Sequence, residues 1–271
     1  MTDLAYLPGI GGVARKPGVL PPSLAGWILP LVLVGVWEAA ARAGVVAPNH
    51  LPAPSIVAVT ILHLAQSGDL ASHLTATIGR LGVGFLLGSL AGTIAGALTG
   101  ASRPIRLLVD PLVQGLRSVP SIAWVPLFIL WLGIFEASKV ALIAVGVFFP
   151  VYLNLMSGIA GVDRKLIEVG RAHRLSPFEL IRRVLLPAAL PAYIVGLRGG
   201  LGLGWMFVAA AELMGASEGL GFLLVDGQQT GRPAVVIAAI LLFALLGKLS
   251  DLVLARVGRG LTAWQDTEAG R

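Results

Sequence analysis

Apolar residues along this chain come in runs long enough to cross a bilayer, which takes about 20 of them. Six runs stand out: Leu24 to Ala41, Leu74 to Leu98, Leu107 to Leu132, Val140 to Ile159, Ala188 to Met214 and Ala234 to Leu254. The pattern predicts an all-α polytopic membrane protein with six transmembrane helices. An even number of spans puts both termini on one side. The frame is a tail over 1–23, a membrane domain over 24–256 and a second tail over 257–271.

Between the fourth and fifth runs lies a charged stretch, Asp163 to Pro187, reading DRKLIEVGRAHRLSPFELIRRVLLP. Its signals predict two short helices. Asp163 suits the cap of a first helix running through Glu168 to about Arg174. Ser176-Pro177-Phe178-Glu179 supplies a cap, a proline at the first helical position and a glutamate three residues after the cap, so a second helix starts there. The break falls near Leu175, and Leu186-Pro187 is expected to close the element. Phe178, Ile181 and Leu185 recur at helical spacing with Arg182 and Arg183 beside them. Such a hairpin suits either a docking device for a partner or an amphipathic element resting on anionic lipid.

Orientation follows from the basic residues of the connections. With the N-terminus inside, 13 lie on the cytoplasmic side and only Arg42, Lys139 and Arg232 outside, which the positive-inside rule favours strongly. The hairpin at 163–187 is then cytosolic. The outer segment after the first run carries LPAPS at Leu51 to Ser55, then a short amphipathic helix through Ile56, Val59 and Leu62.

Inside the runs, Gly84, Gly88, Gly92, Gly96 and Gly100 form a ladder at four-residue spacing, and Gly196, Gly200 and Gly204 repeat it. Either tight helix packing or a sliding seam explains both. In the third run Asp110-Pro111 reads as a cap and first helical residue, while Pro120 and Pro126 lack amide protons and should bend or interrupt the helix. Interrupted backbone at membrane depth belongs where protein or a cavity surrounds it. Arg117 to Pro126, RSVPSIAWVP, is therefore a candidate pathway wall or a structural kink. Polar residues within the runs are Arg80, Arg117, Asn154, Arg198, Glu212, Lys248 and Asp251, each expected to face the bundle, an interface or water. Arg80, Lys248 and Asp251 sit near run ends, where snorkelling suffices, and Arg117 or Arg198 is a candidate either to offset the charge of an anionic cargo or to pair with Glu212.

Composition narrows the function classes. Hydrophobic residues make up 56% and charged residues 13%, against about a quarter charged in soluble domains. The net charge of +6 reflects residues flanking the runs, a topology signal rather than a nucleic-acid surface. Cysteine is absent, which excludes disulfides and thiolate metal sites. There is no phosphate-binding G-x-x-x-x-G-K-[ST] loop, no metal-ligand spacing among the four histidines and no G-x-S-x-G elbow. A non-catalytic channel or transporter lacking its own motor fits best.

Glu168-Val169-Gly170, followed at a fixed distance by Leu186-Pro187, resembles the EAA loop of inner-membrane permease subunits of binding-protein-dependent ABC importers. The resemblance extends from about Leu24 to Trp264. It is closest to the aliphatic sulfonate, taurine and nitrate branch, nearest the sulfonate permeases. It is carried by LPAPS, by VPSIAWVPLFILWLGIFEASK (Val119 to Lys139), by FPVYLN (Phe149 to Asn154) and by ALLGKLSD (Ala244 to Asp251). One departure is Arg174, standing where the family has the EAA glycine. Arginine enters that turn only with strain, or else the first helix continues further.

The resemblance implies a type I ABC importer permease fold in a bacterial inner membrane, with both termini cytoplasmic. It implies no cofactor on this chain, ATP and Mg being bound by a separate ATPase dimer. Further partners would be a second permease copy, by default identical, an external substrate-binding protein and membrane lipid, with no nucleic acid. By the same analogy Glu168, Arg171, Arg174, Phe178 and Ile181 would dock the ATPase. Arg117, Ser118, Ser121, Asn154, Arg198 and Glu212 are pathway candidates. The alternatives are an ion-coupled secondary transporter, whose inverted repeats are not seen between the first and last three runs, and a membrane scaffold.

Overall fold

The computed structural model describes residues 22–264; positions 1–21 of the tail predicted over 1–23 and positions 265–271 of the tail predicted over 257–271 lie outside them. The described residues form helices α1 (Pro22–Arg42), α2 (Pro54–Ser67), α3 (Asp69–Ala101), α4 (Arg103–Arg117), α5 (Trp124–Leu132), α6 (Glu136–Ala160), α7 (Arg164–Ala172), α8 (Pro177–Leu180), α9 (Leu186–Leu213), α10 (Leu220–Gln229) and α11 (Pro233–Leu261). Two compact units divide at Ser55.

In the first unit LPAPS folds back onto its own helix. Glu38 of α1 accepts hydrogen bonds from the Ser55 amide at 3.0 Å, the Ser55 hydroxyl at 2.8 Å and Arg42 Nε at 2.6 Å.

In the second unit α6 lies between α3 and α9. The glycine ladders explain how. A methyl group added at Gly92 or Gly96 would stand 2.9 Å from the carbonyl oxygen of Phe148 or Tyr152, and one at Gly88 would strike that of Ala144. On the other side Gly196 leaves room for the Pro150 carbonyl at 3.0 Å, and Gly200 leaves room for Val147. Ile143, Val147 and Val151 are fully buried in the resulting core. Close backbone approach lets dispersion act over the whole seam, which is how helices associate where lipid removes the hydrophobic drive.

Four segments are long and apolar enough to cross a membrane: Asp69–Ala101, Glu136–Ala160, Phe178–Leu213 and Pro233–Leu261. The third run differs from expectation. It divides into α4 and α5 around Ser118 to Pro120 and a 3₁₀ turn at Ser121–Ala123, so Pro120 interrupts as predicted whereas Pro126 sits in the first turn of α5, where its missing N–H is harmless. Asp110-Pro111 is not a helix start but lies inside α4. The α2 helix exists, yet Ile56, Val59 and Leu62 are exposed while Val57 is buried and Ile61 and Leu64 pack inward. A helix apolar on two sides offers packing a choice that periodicity alone does not resolve. The last helix runs to Leu261, past the expected span end at Leu254 and the expected tail start at 257.

Candidate functional site

The predicted cytosolic hairpin forms from local signals. Asp163 accepts from the Lys165 amide at 2.9 Å and caps α7. Ser176 and Glu179 form a reciprocal capping box: the Ser176 amide and hydroxyl donate to Glu179 Oε2 at 3.0 Å each, and the Glu179 amide donates back to Ser176 Oγ at 3.3 Å. Between the helices the Arg174 amide donates to the Arg171 carbonyl at 2.8 Å and the Leu175 amide to that of Gly170 at 3.2 Å, the paired bonds of a Schellman motif. Its left-handed position is Arg174, with φ of 54°, the only non-glycine at positive φ among the described residues. The strained turn is therefore made, with arginine in the place that favours glycine. Gly170 matters for another reason. A methyl group there would stand 2.6 Å from Leu180 Cδ1, so a side chain at 170 would have to displace the end of Leu180.

Leu186-Pro187 does not end the hairpin. The chain passes from α8 through a π turn, Ile181–Leu185, into α9 without a break. Pro187 has no N–H for the Arg183 carbonyl and its ring crowds that oxygen. Widening the turn, with the Leu186 amide donating to the Ile181 carbonyl, accommodates both and keeps the helix going. Ile167, Ile181, Leu185 and Ala189 pack with Leu155 and Ile159 at the base of α6. Ile181 is thus an anchor, not part of the presented surface. Glu168, Arg171, Arg174 and Phe178 are exposed, with Glu168 accepting from Arg164 Nε at 3.0 Å.

A second region is a cavity of about 370 Å³ between the end of α4, the start of α5, the middle of α6 and α9. Arg117, Trp124, Phe149, Asn154, Met206 and Phe207 are in its wall. Two of the six pathway candidates, Arg117 and Asn154, therefore meet. The Ser118 hydroxyl donates to the Gln114 carbonyl at 3.0 Å, and the Ser121 side chain lies outside the described groups. Arg198 makes a two-pronged bond to Asp251 of α11, Nε to Oδ1 at 2.8 Å and Nη2 to Oδ2 at 2.9 Å.

Glu212 lies elsewhere, fully buried, and neither Arg117 nor Arg198 pairs with it. Its carboxylate accepts from Arg80 Nη1 at 2.8 Å, Thr77 Oγ1 at 2.8 Å and the Gly221 amide at 2.8 Å. Arg80 also grips Glu136 through Nε at 2.6 Å and Nη2 at 2.9 Å and donates to the Glu218 carbonyl at 2.6 Å. Lys139 Nζ reaches Glu136 at 3.2 Å. Two cations thus balance two carboxylates, and Thr77 accepts the Leu220 amide at 2.8 Å while His73 Nδ1 accepts that of Gly219 at 3.0 Å. Snorkelling does not describe Arg80, which is 8% exposed. The network ties α3, the start of α6 and the α9–α10 turn, and a side chain at Gly219 would collide with the Glu212 carboxylate. Sequence reasoning singled out Arg80 and Glu212 but missed Thr77, Glu136 and Lys139, because no local pattern joins positions more than fifty residues apart.

Comparison with known proteins places this arrangement. Residues 84–263 match the family described as binding-protein-dependent transport system inner membrane component. Two proteins named "Putative aliphatic sulfonates transport permease protein SsuC" are similar. That of Bacillus subtilis (strain 168) is 42% identical over 95% of this chain and 94% of its own length, and that of Escherichia coli (strain K12) is 44% identical over 84% and 87%. The taurine transport system permease protein TauC of Escherichia coli (strain K12) is 34% identical over 86% of each. Among solved structures, an inward-facing form of the MetNI methionine ABC transporter matches with a TM-score of 0.66 at 22% identity, covering 73% of this chain and 98% of that one, a likeness of fold. The chain therefore belongs to the binding-protein-dependent transport system inner membrane components, as a permease subunit of an ABC importer.

Proposed function

We propose that this permease forms, with a second copy of itself, the import pathway for a small organic anion, an aliphatic sulfonate first of all, and that a separate ATPase dimer drives it through the hairpin at 163–187. The observation that carries this reading is the hairpin itself: doubly capped, anchored to α6 and continuous with α9, yet leaving Glu168, Arg171, Arg174 and Phe178 exposed. Pressure on that surface acts directly on a membrane-crossing helix. Two ATPase subunits closing on ATP and Mg would bring two hairpins together and turn the pathway toward an external binding protein. No group of this chain is asked to hydrolyse ATP. The cargo class rests on the relatives' names, which specify aliphatic sulfonates and taurine, compounds that share a sulfonate head. The charge count of the connections supports cytoplasmic termini.

Purification of the tagged chain from its native membrane in mild detergent is expected to recover an ATPase whose hydrolysis rises with loaded binding protein. Glu168→Lys should abolish that stimulation while leaving insertion intact; undiminished stimulation would count against docking at this surface. A complex without any ATPase that still transports after reconstitution would favour an ion-coupled transporter. An epitope at the C-terminus should be protected in intact cells, and labelling from outside would overturn the orientation.

A further inference from the structure

Three arginines on the apolar runs have different surroundings: Arg80 is buried, and Arg117 and Arg198 are exposed. Arg80 is matched by Glu136 and Glu212, and Arg198 by Asp251. Arg117 makes no ion pair among the described residues, and the cavity beside it has no carboxylate in its wall. The Arg117 side chain is exposed, so the guanidinium is free to meet an anion that enters the cavity. The same wall carries aromatic residues: Trp124 at the start of α5, Phe149 on α6 and Phe207 on α9. Asn154 uses one amide hydrogen on the Pro150 carbonyl at 2.9 Å, which leaves the other to donate. The volume, about 370 Å³, falls within the range of about 300–1,000 Å³ usual for small-ligand sites.

Resting on the permease reading above, we propose that this cavity is a selective transit site for a singly charged organic anion, with Arg117 and Asn154 holding the anionic head and Trp124, Phe149 and Phe207 taking its apolar tail. Each copy offers one cation at the site, which fits a monoanionic sulfonate better than a doubly charged phosphate. It also keeps the site weak enough to release its occupant, as a conducting path requires. Phe207 sets the depth of the tail pocket. Its ring packs onto the bare backbone of Gly146, where any side chain would collide with it. The residue at 146 thereby governs how far Phe207 projects into the cavity.

The test uses the assembled transporter in proteoliposomes with its binding protein, measuring uptake of ethanesulfonate and hexanesulfonate. Arg117→Gln is expected to lower uptake of both by about tenfold or more, the effect of losing one charged hydrogen-bonding partner. Arg117→Lys should recover part of it, and copurification of the ATPase should show that both variants assemble. Phe207→Ala should raise hexanesulfonate uptake relative to ethanesulfonate, and Gly146→Ala should lower that ratio. Wild-type import of sulfonates with Arg117→Gln equally active overturns the transit site alone. So does a loss in Arg117→Gln that Arg117→Lys leaves unrelieved, since that would make the residue structural. A wild-type transporter that imports only uncharged or cationic cargo overturns the cargo reading as well.

Discussion

Arg80 is buried and Arg117 exposed, and the two are held in opposite ways. Arg80 is enclosed, with four of its five N–H donors used on Glu136, Glu212 and the Glu218 carbonyl, and its region joins helices that also meet along glycine seams. Arg117 ends a short helix beside a break in the chain and faces open volume. The difference separates framework from working space. Charges satisfied inside the protein fix a bundle, while a charge left for a visitor belongs where backbone is interrupted and side chains have room.

The largest expected effect breaks the framework. Arg80→Met removes the cation from a fully buried Glu212 and should destabilise the protein by about 3–5 kcal/mol, whereas Arg117→Met should change stability by about 0.5 kcal/mol or less. Denaturant unfolding in detergent followed by tryptophan fluorescence reads both, and equal losses would erase the contrast. Next, Gly88→Leu forces a side chain into the Ala144 carbonyl and should cost about 1–3 kcal/mol. Gly82→Leu on the same helix, with nothing within 4 Å of its added carbon, should cost far less, and similar costs would deny the seam its role. Arg174→Gly relieves the left-handed turn and should stabilise the hairpin by up to about 1 kcal/mol. Slower proteolysis between α7 and α8 would show it, and faster cleavage would mean that the arginine side chain holds the turn. The smallest effect concerns Arg198 and Asp251. This partly exposed pair should couple by only about 0.6 kcal/mol in a double-mutant cycle, and a coupling several times larger would place it with the framework.

Sequence legibility followed the range of the interactions. The caps at Asp163 and Ser176, the break at Leu175 and the glycine ladders all act within a turn or two, and all are present in the structure. The glycine ladders did not announce that both press on one helix, because that requires knowing which helix lies between. Pro187 misled for a physical reason: proline normally ends or kinks a helix, but one widened turn absorbs its effect. The membrane charges were conspicuous individually, yet their pairing was not. Thr77 and Glu212 are 135 positions apart, and only the folded bundle selects Arg80 rather than Arg117 as the partner. Ile181 was apolar and correctly placed on its helix face, but that face turns toward α6.

The π turn at Ile181–Leu185 has a directional consequence. It inserts one residue beyond what an α-helix would use, and each residue advances a helix by about 100°. Everything before Ile181 is consequently swung by roughly that angle about the axis of α9. Deleting a single residue in the turn would leave the hairpin intact but aim it along a different azimuth, like a key cut correctly and presented rotated to its lock.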